Sequence, residues 1–400
     1  MFFNRRVPSW IRVTYYYDST GGFLYGIFYG LTIAFFPIIA RKIGATSGQM
    51  AFLTAIPFVG ALFTFYWAHI SGKRKKMPWV IGVKILARCS LFLTFFAFKP
   101  EIFLVIILLY WIFEYAGTPA YTRIMKDIYP DEDRAKLMGY VRVELALAAI
   151  IATYGGGFLL DQISYRYVFP LGAAVGIFSL HFFGKIRVKS DENSKFSNER
   201  FSLLKIRDIF QKDKSFLRYI YTFFIFGFGN LIAMPLYPIF LVDTLRVSNA
   251  DAGKLGALFS AFWLISYLLW GHYIDKKGPL AALHRIFILT SFVPLLYFLS
   301  SDIYLVAIAT VFSGATSGGV ELARLNYITR AAREEEIGSY WGIDYSLMGI
   351  RGIVAPFVGI ALMHLLGIKY AFLLAFVTIF VSFLLMGRVR RSKLSWPSRA

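Results

Sequence analysis

Two glutamates of this chain, Glu114 and Glu321, stand inside long apolar stretches, with Arg324 one helical turn beyond the second. An ionisable side chain placed within the bilayer costs roughly 2.5–3.5 kcal/mol on insertion scales, so each is a functional candidate by default. Burial disfavours the charged form of a carboxylate and brings its titration toward neutral pH. The chemistry expected of Glu114 and Glu321 is therefore proton exchange, or contact with a cationic group. Asp18, Arg88 and Arg324 complete the candidate set. A plainer alternative exists for Glu114. Arg88 lies at a similar expected depth, roughly 12–15 Å from the cytoplasmic helix ends at about 1.5 Å per residue, and the two can form a structural pair. Lys84, four residues before Arg88, is expected to snorkel toward the surface.

These residues belong to polar stripes at helical spacing. One carries Tyr110, Glu114, Gly117, Thr118 and Tyr121; a second carries Ser313, Ser317, Glu321 and Arg324. A third runs Asp18, Gly22, Tyr25, Tyr29 and Thr32, and a fourth Phe226, Asn230 and Tyr237. A polar stripe turned to lipid would be costly, so these faces are expected to look inward. Asp344, Arg351, Arg142 and Glu144 are further embedded charges, for which gating or packing is the expected role.

The elements that position these stripes follow from composition. Of 400 residues 58% are hydrophobic and 16% charged, more apolar surface than a soluble protein of this size can hide. At roughly 20 apolar residues per crossing, spans are expected near 14–40, 48–70, 78–98, 101–122, 137–161 and 166–185. A second set falls near 216–243, 251–274, 281–300, 302–324, 338–364 and 369–388. The organisation read is an N-terminal six-helix bundle over 1–185, a polar cytoplasmic linker over 186–215 and a C-terminal six-helix bundle with a basic tail over 216–400. The linker holds Ser190–Lys195 and is expected to form one amphipathic surface helix. The first span is too long for a signal core and lacks a small-residue cleavage site.

Basic residues orient the spans. Of 43 Lys and Arg, seven (Arg41, Lys42, Lys99, Arg166, Arg246, Lys254 and Lys369) fall in outward loops. Four (Lys84, Arg88, Arg142 and Arg351) fall inside spans, which leaves 32 on the side of both termini. By the positive-inside rule that side is cytoplasmic. The net charge of +20 is thus topological and adds a weak attraction to anionic lipid, not to nucleic acid. A single cysteine, Cys89, excludes an internal disulfide framework and a cysteine metal cluster.

The run Trp270-Gly271-His272-Tyr273-Ile274-Asp275-Lys276-Lys277-Gly278 recurs in degraded form at Trp67-Ala68-His69-Ile70-Ser71-Gly72-Lys73-Arg74-Lys75-Lys76. The offset of 203 residues also pairs Gly139 with Gly342, Ala152 with Ala355, Tyr167 with Tyr370 and Phe169 with Phe372. Two homologous bundles related by an axis along the membrane normal, with a site near mid-membrane, are the physical expectation.

On these residues the chain resembles the major facilitator superfamily over nearly its whole length. The family's Gly-x-x-x-Asp-Arg/Lys-x-Gly-Arg/Lys signature is matched by Gly271, Asp275, Lys276 and Gly278, with Pro279 in place of the last base. The first-half copy retains only bases, among them Lys73 and Arg74. The resemblance implies an all-α fold of twelve transmembrane helices in two pseudo-symmetric bundles, and a gating role for this turn in which Asp275 caps a neighbouring helix. It also implies that helices 1, 4, 7 and 10 line a central cavity, which makes Tyr25, Tyr29, Tyr110, Thr118, Tyr121, Asn230, Tyr237, Ser313 and Ser317 lining residues. Two family features differ here. The fourth-helix arginine is Phe113. The fifth-helix Gly-Pro-x-x-Gly-Gly of drug/proton antiporters reads Ala152-Thr153-Tyr154-Gly155-Gly156-Gly157, and the second-half stretch Ala355-Pro356-Phe357-Val358-Gly359 is closer to it.

No metalloprotease, nucleophile-elbow or phosphate-loop pattern occurs, so neither an enzyme nor a cofactor or metal is expected. The reading is a monomeric multi-pass transporter of a bacterial cytoplasmic membrane. It works by alternating access, with protons as coupling ion and an amphipathic or cationic compound as exported solute. Uptake of a sugar or organic anion, lipid or lysolipid flipping, and a non-transporting receptor or scaffold are the alternatives.

Overall fold

The computed structural model describes residues 8–188, 203–333 and 336–394, and these are helical with no strand among them. Eleven helices are long and apolar enough to cross a membrane. The pair Ser47–Leu62 and Tyr66–Gly72, bent by 46° at its break, passes the same test when taken together and is numbered here as the second span, which brings the candidate crossings to twelve. The others, in order, are Ser9–Lys42, Lys76–Phe96, Pro100–Ile128, Glu132–Gln162 and Tyr165–Phe183, then Lys214–Thr244, Asn249–Lys277, Pro279–Leu299, Ile303–Ala331, Ile337–Leu366 and Ile368–Arg391. A short helix, Leu203–Lys212, precedes the seventh span. Ser190–Lys195 lie outside the described residues, as do Arg5 and Arg6 and the end of the basic tail.

Local chemistry explains the breaks. The first span interrupts its α-helix after Leu31, passes through a 3-10 turn at Ile33–Phe35 and resumes at Phe36, just ahead of Pro37. The seventh is interrupted after Ala233, where Pro235 and Pro238 withhold backbone donors, and ends in a π turn over Phe240–Thr244. Thr32 and Pro235 are themselves 203 residues apart, so the breaks obey the repeat. Burial does too. Phe169 and Phe372 are both 0% exposed, whereas Tyr167 and Tyr370 are 57% and 58% exposed. Each buried phenylalanine sits among rings: Phe36, Phe103 and Tyr165 around Phe169, and Tyr237, Phe240 and Tyr297 around Phe372.

The chain forms two compact units. One draws on Met1–Ala45, Gly60–Ser197 and Val247–Ala257; the other on Thr46–Val59, Asn198–Arg246 and Leu258–Ala400. In the first unit Gly22, Gly26 and Gly30 form a stripe along the first span. A methyl group on Gly30 would lie 2.7 Å from the Ala152 Cβ, and one on Gly26 would lie 2.9 Å from the Ala148 Cβ, so the first and fifth spans touch backbone to backbone. Small residues at every fourth position permit this approach, which supplies the packing that apolar lipid does not drive. In the second unit Gly314 of the tenth span meets the eighth in the same way, with a notional Cβ 2.5 Å from Phe259 O and 2.9 Å from the Phe262 Cβ. An aromatic core fills that unit's terminus-bearing end, where Phe216, Tyr219, Phe223, Phe287 and Tyr327 pack together.

Candidate functional site: two embedded charge clusters

In the first unit the third and fourth spans bring three charges together. Arg88 Nη1 lies 2.6 Å from Glu114 Oε2, and Lys84 Nζ binds the other carboxylate oxygen. Lys84 therefore does not snorkel: at one helical turn from Arg88 it finds a closer partner in Glu114 than any surface group. Glu114 stands 14 residues from each end of Pro100–Ile128, or about 21 Å at 1.5 Å per residue, which places it deeper than the sequence reading did. The helix runs on to Ile128, past the expected end at 122, and the sequence alone does not reveal such an overhang.

Arg88 is fully buried. Its guanidinium faces three rings, Phe28 at 4.3 Å, Tyr25 at 5.4 Å and Tyr110 at 5.5 Å. Cation–π attraction of this kind strengthens when the cation is desolvated. Lys84 likewise faces the Tyr121 ring at 5.6 Å. Tyr25, Tyr110 and Tyr121, named on spacing alone, thus gather at one charge cluster. Tyr29 is half-buried on the same stripe of the first span, and Thr118 is exposed one turn from Glu114.

A second group lies nearer the start of the first span. Asp18, 5% exposed, accepts a 2.8 Å hydrogen bond from the Tyr129 hydroxyl. Glu144 accepts from Tyr15 at 2.6 Å and from Ser19. Burial, and after it the Asp18 carboxylate, push the Tyr129 phenol above its ordinary range. It therefore stays protonated and keeps donating. At the other end of this unit Asp161 accepts from the backbone N–H groups of Asn249 (2.8 Å) and Ala250 (2.9 Å), at the start of the eighth span. Lys42 Nζ donates to Asn249 Oδ1 at 2.8 Å. A carboxylate at a helix N-terminus is electrostatically favoured. This contact was missed in the sequence; its only signal is an acid at the end of one span and an Asn-Ala-Asp start 88 residues later.

In the second unit Arg324 of the tenth span donates through Nε to Asp344 of the eleventh at 2.5 Å. Its guanidinium lies 4.8 Å from the Tyr345 ring and 5.3 Å from Trp341. Arg351, two turns beyond Asp344, is 6% exposed and donates through Nη1 to the carbonyl of Phe223 at 2.6 Å. Gly227 makes the room: a Cβ there would lie 2.6 Å from Arg351 Nε. Glu321 sits on a different face, exposed, and accepts from the Tyr267 hydroxyl. Glu114 thus pairs with two cations, and a phenol is among the partners of Glu321.

Other named residues are dispersed. Asn230 is exposed, and Tyr237 stacks with Tyr297 and Phe372. The Ser317 hydroxyl donates to the Ser313 carbonyl at 2.7 Å. Gly271, Asp275 and Lys276 end the eighth span, with Asp275 and Lys276 exposed, and Gly278 turns the chain with φ +81°. Lys73 and Arg74 are exposed at the corresponding turn, where Lys76 pairs with Asp127 at 2.7 Å. No cluster of three or more metal-ligating side chains occurs among the described residues.

A sequence profile of the Major Facilitator Superfamily matches residues 19–301 and 232–400. The chain belongs to that superfamily. It is 23% identical over 358 residues to the multi-drug resistance efflux pump PmrA of Streptococcus pneumoniae serotype 4, covering 84% of this chain and 86% of PmrA. Among solved structures, the nucleoside transporter NupG superposes with a TM-score of 0.74 at 12% identity, covering 94% of this chain and 99% of that one. A bacterial homolog of the human lysosomal transporter Spinster, in an inward-facing and unoccupied conformation, gives 0.72 at 14% identity, covering 98% and 100%. The major facilitator fold, with its many membrane-spanning helices and a small-molecule substrate, is thereby that of this chain.

Proposed function

We propose that this chain is a secondary active transporter of a bacterial cytoplasmic membrane, with both termini inside, that exports an amphipathic organic solute by alternating access coupled to protons. The observation that carries the reading is the charge embedded at the middle of the spans: Arg88 and Glu114 in one unit, Arg351 in the other. Such groups are costly in a bilayer and are kept where an ion or solute must be met. The likeness to PmrA supports the outward direction. Glu321, exposed and accepting from the Tyr267 hydroxyl, is the proposed coupling acid, while Glu114 is held between Lys84 and Arg88. Cavity lining by the four stripes, and gating by the turns at Gly271–Gly278 and at Lys73 and Arg74, belong to the same proposal.

The test is transport in everted membrane vesicles with a fluorescent amphipathic dye supplied outside. An imposed proton gradient should drive dye accumulation that collapses with an uncoupler, and Glu321→Gln should abolish the gradient dependence. Accumulation indifferent to the gradient would overturn the coupling; no protein-dependent dye movement would overturn export. The nucleoside transporter and the Spinster homolog share only the fold, so they do not favour their own solutes here.

A further inference from the structure

Among the described residues no carboxylate is in ion-pair contact with the arginine at the middle of the eleventh span, although Asp344 lies nearby. Arg324 and Asp344 satisfy one another at 2.5 Å, so the single carboxylate of this cluster is already taken. Arg351 lies two turns further on, 14 residues from the start of Ile337–Leu366 and 15 from its end, at the middle of that helix. It holds one neutral acceptor, the Phe223 carbonyl, and its Nε is buried with no hydrogen-bond partner. The charged groups near it are Asp344 and Arg324; Glu321 faces Tyr267 on another side of the tenth span. The ring beside it is Phe223, 5.0 Å from the guanidinium, with Phe226 and Phe287 stacked behind.

A buried cation with an unused donor is costly unless an anion meets it. The site is also built to hold the guanidinium in place, because Gly227 removes the one side chain that would exclude it. We infer that Arg351 binds the anionic group of the transported solute, a carboxylate, sulfonate or phosphate, with its aromatic body against Phe223. The solute is then an organic anion, not the cation anticipated from Glu114 and Glu321. The inference rests on the transporter reading above. The first unit shows the same imbalance independently, since Lys84 and Arg88 together face one carboxylate. There both cations hold the Glu114 carboxylate between them and three rings face Arg88, whereas Arg351 has no carboxylate partner, only the Phe223 carbonyl.

Thermal unfolding of the purified full chain with three matched probes tests this: naphthalenesulfonate, naphthylmethylammonium and naphthylmethanol. Binding to the folded state raises the midpoint. The sulfonate should stabilise most. Arg351→Gln should weaken its binding by about 30-fold, the lower bound for losing one partner of a buried charged contact. Arg351→Lys should recover part of it, which a packing role alone would not do. Gly227→Ala, which leaves the Arg324–Asp344 pair intact but displaces the guanidinium, should reproduce the loss. The inference is overturned if the sulfonate stabilises no more than the cation or the alcohol, or if Arg351→Gln binds it as wild type does. Dye export that persists with cation selectivity would sink this inference and leave the transporter reading standing. Sulfonate binding at Arg351 without gradient-driven dye movement would do the reverse.

Discussion

Removing the Glu114 carboxylate should damage the fold more than removing either of its partners. In wild type two cations face one anion, with side chains 13% exposed for Lys84, 13% for Glu114 and 1% for Arg88, so solvent screens little. Glu114→Gln leaves two like charges on adjacent turns of the third span, both desolvated. Breaking a buried pair costs about 3–5 kcal/mol because the remaining charge is uncompensated. Lys84→Met acts in the opposite sense. It leaves Arg88 and Glu114 as a balanced pair at 2.6 Å, so its cost should stay at or below about 1.5–3 kcal/mol, the value of one lost hydrogen bond to a charged group. The double variant Lys84→Met/Glu114→Gln should then be more stable than Glu114→Gln alone, a coupling of the kind that double-mutant cycles isolate. The assay is the apparent melting midpoint of purified protein by fluorescence-detected size exclusion after heating. If Glu114→Gln melts with wild type, or Lys84→Met falls as far as Glu114→Gln, the charge accounting is wrong.

Three further outcomes follow from the packing. Gly30→Val should prevent a monodisperse fold, because even the first carbon would meet Ala152 at 2.7 Å, whereas Gly155→Ala, with open space around it, should behave as wild type in the same chromatography. Asp161→Ala should lower the melting midpoint by the equivalent of about 1–2 kcal/mol, the usual value of a helix-cap carboxylate, since two backbone donors of the eighth span lose their acceptor; an unchanged midpoint would show the cap to be idle. Tyr129 favours its neutral form in the fold, so its contribution is complete below the ordinary tyrosine pKa and is lost as pH rises above it. Tyr129→Phe should accordingly flatten part of the alkaline fall in stability, and an identical slope in both proteins would refute the assignment.

Much of this architecture was legible in the residues. Apolar run length gave the spans, and the 203-residue repeat gave the equivalence of Phe169 with Phe372, whose burial agrees fully. Helix ends were less legible. The fourth span reaches Ile128, not 122, because its last turns carry Arg123, Lys126 and Asp127, which hydropathy reads as loop although Asp127 pairs with Lys76 and Arg123 donates to Ser71. Side-chain partnership was harder still. Arg88 with Glu114 was open to anticipation, since both charges lie at similar depth on neighbouring spans. Lys84 was expected to turn to the surface, because spacing reveals which helix face a residue occupies but not how near an opposite charge stands. The place of Arg351 depended on a glycine 124 residues earlier, on a span the sequence does not mark as its neighbour.

Alternating access requires that the middle of these spans be wetted from each side of the membrane in turn. In a Cys89→Ser background, Thr118→Cys places one thiol beside Glu114, and a membrane-impermeant maleimide can be applied to right-side-out and to everted vesicles. Alternating access predicts modification from both sides, with the ratio of the two rates shifted by a transported solute. Modification from neither side, or from one side only whatever the solute, would contradict it.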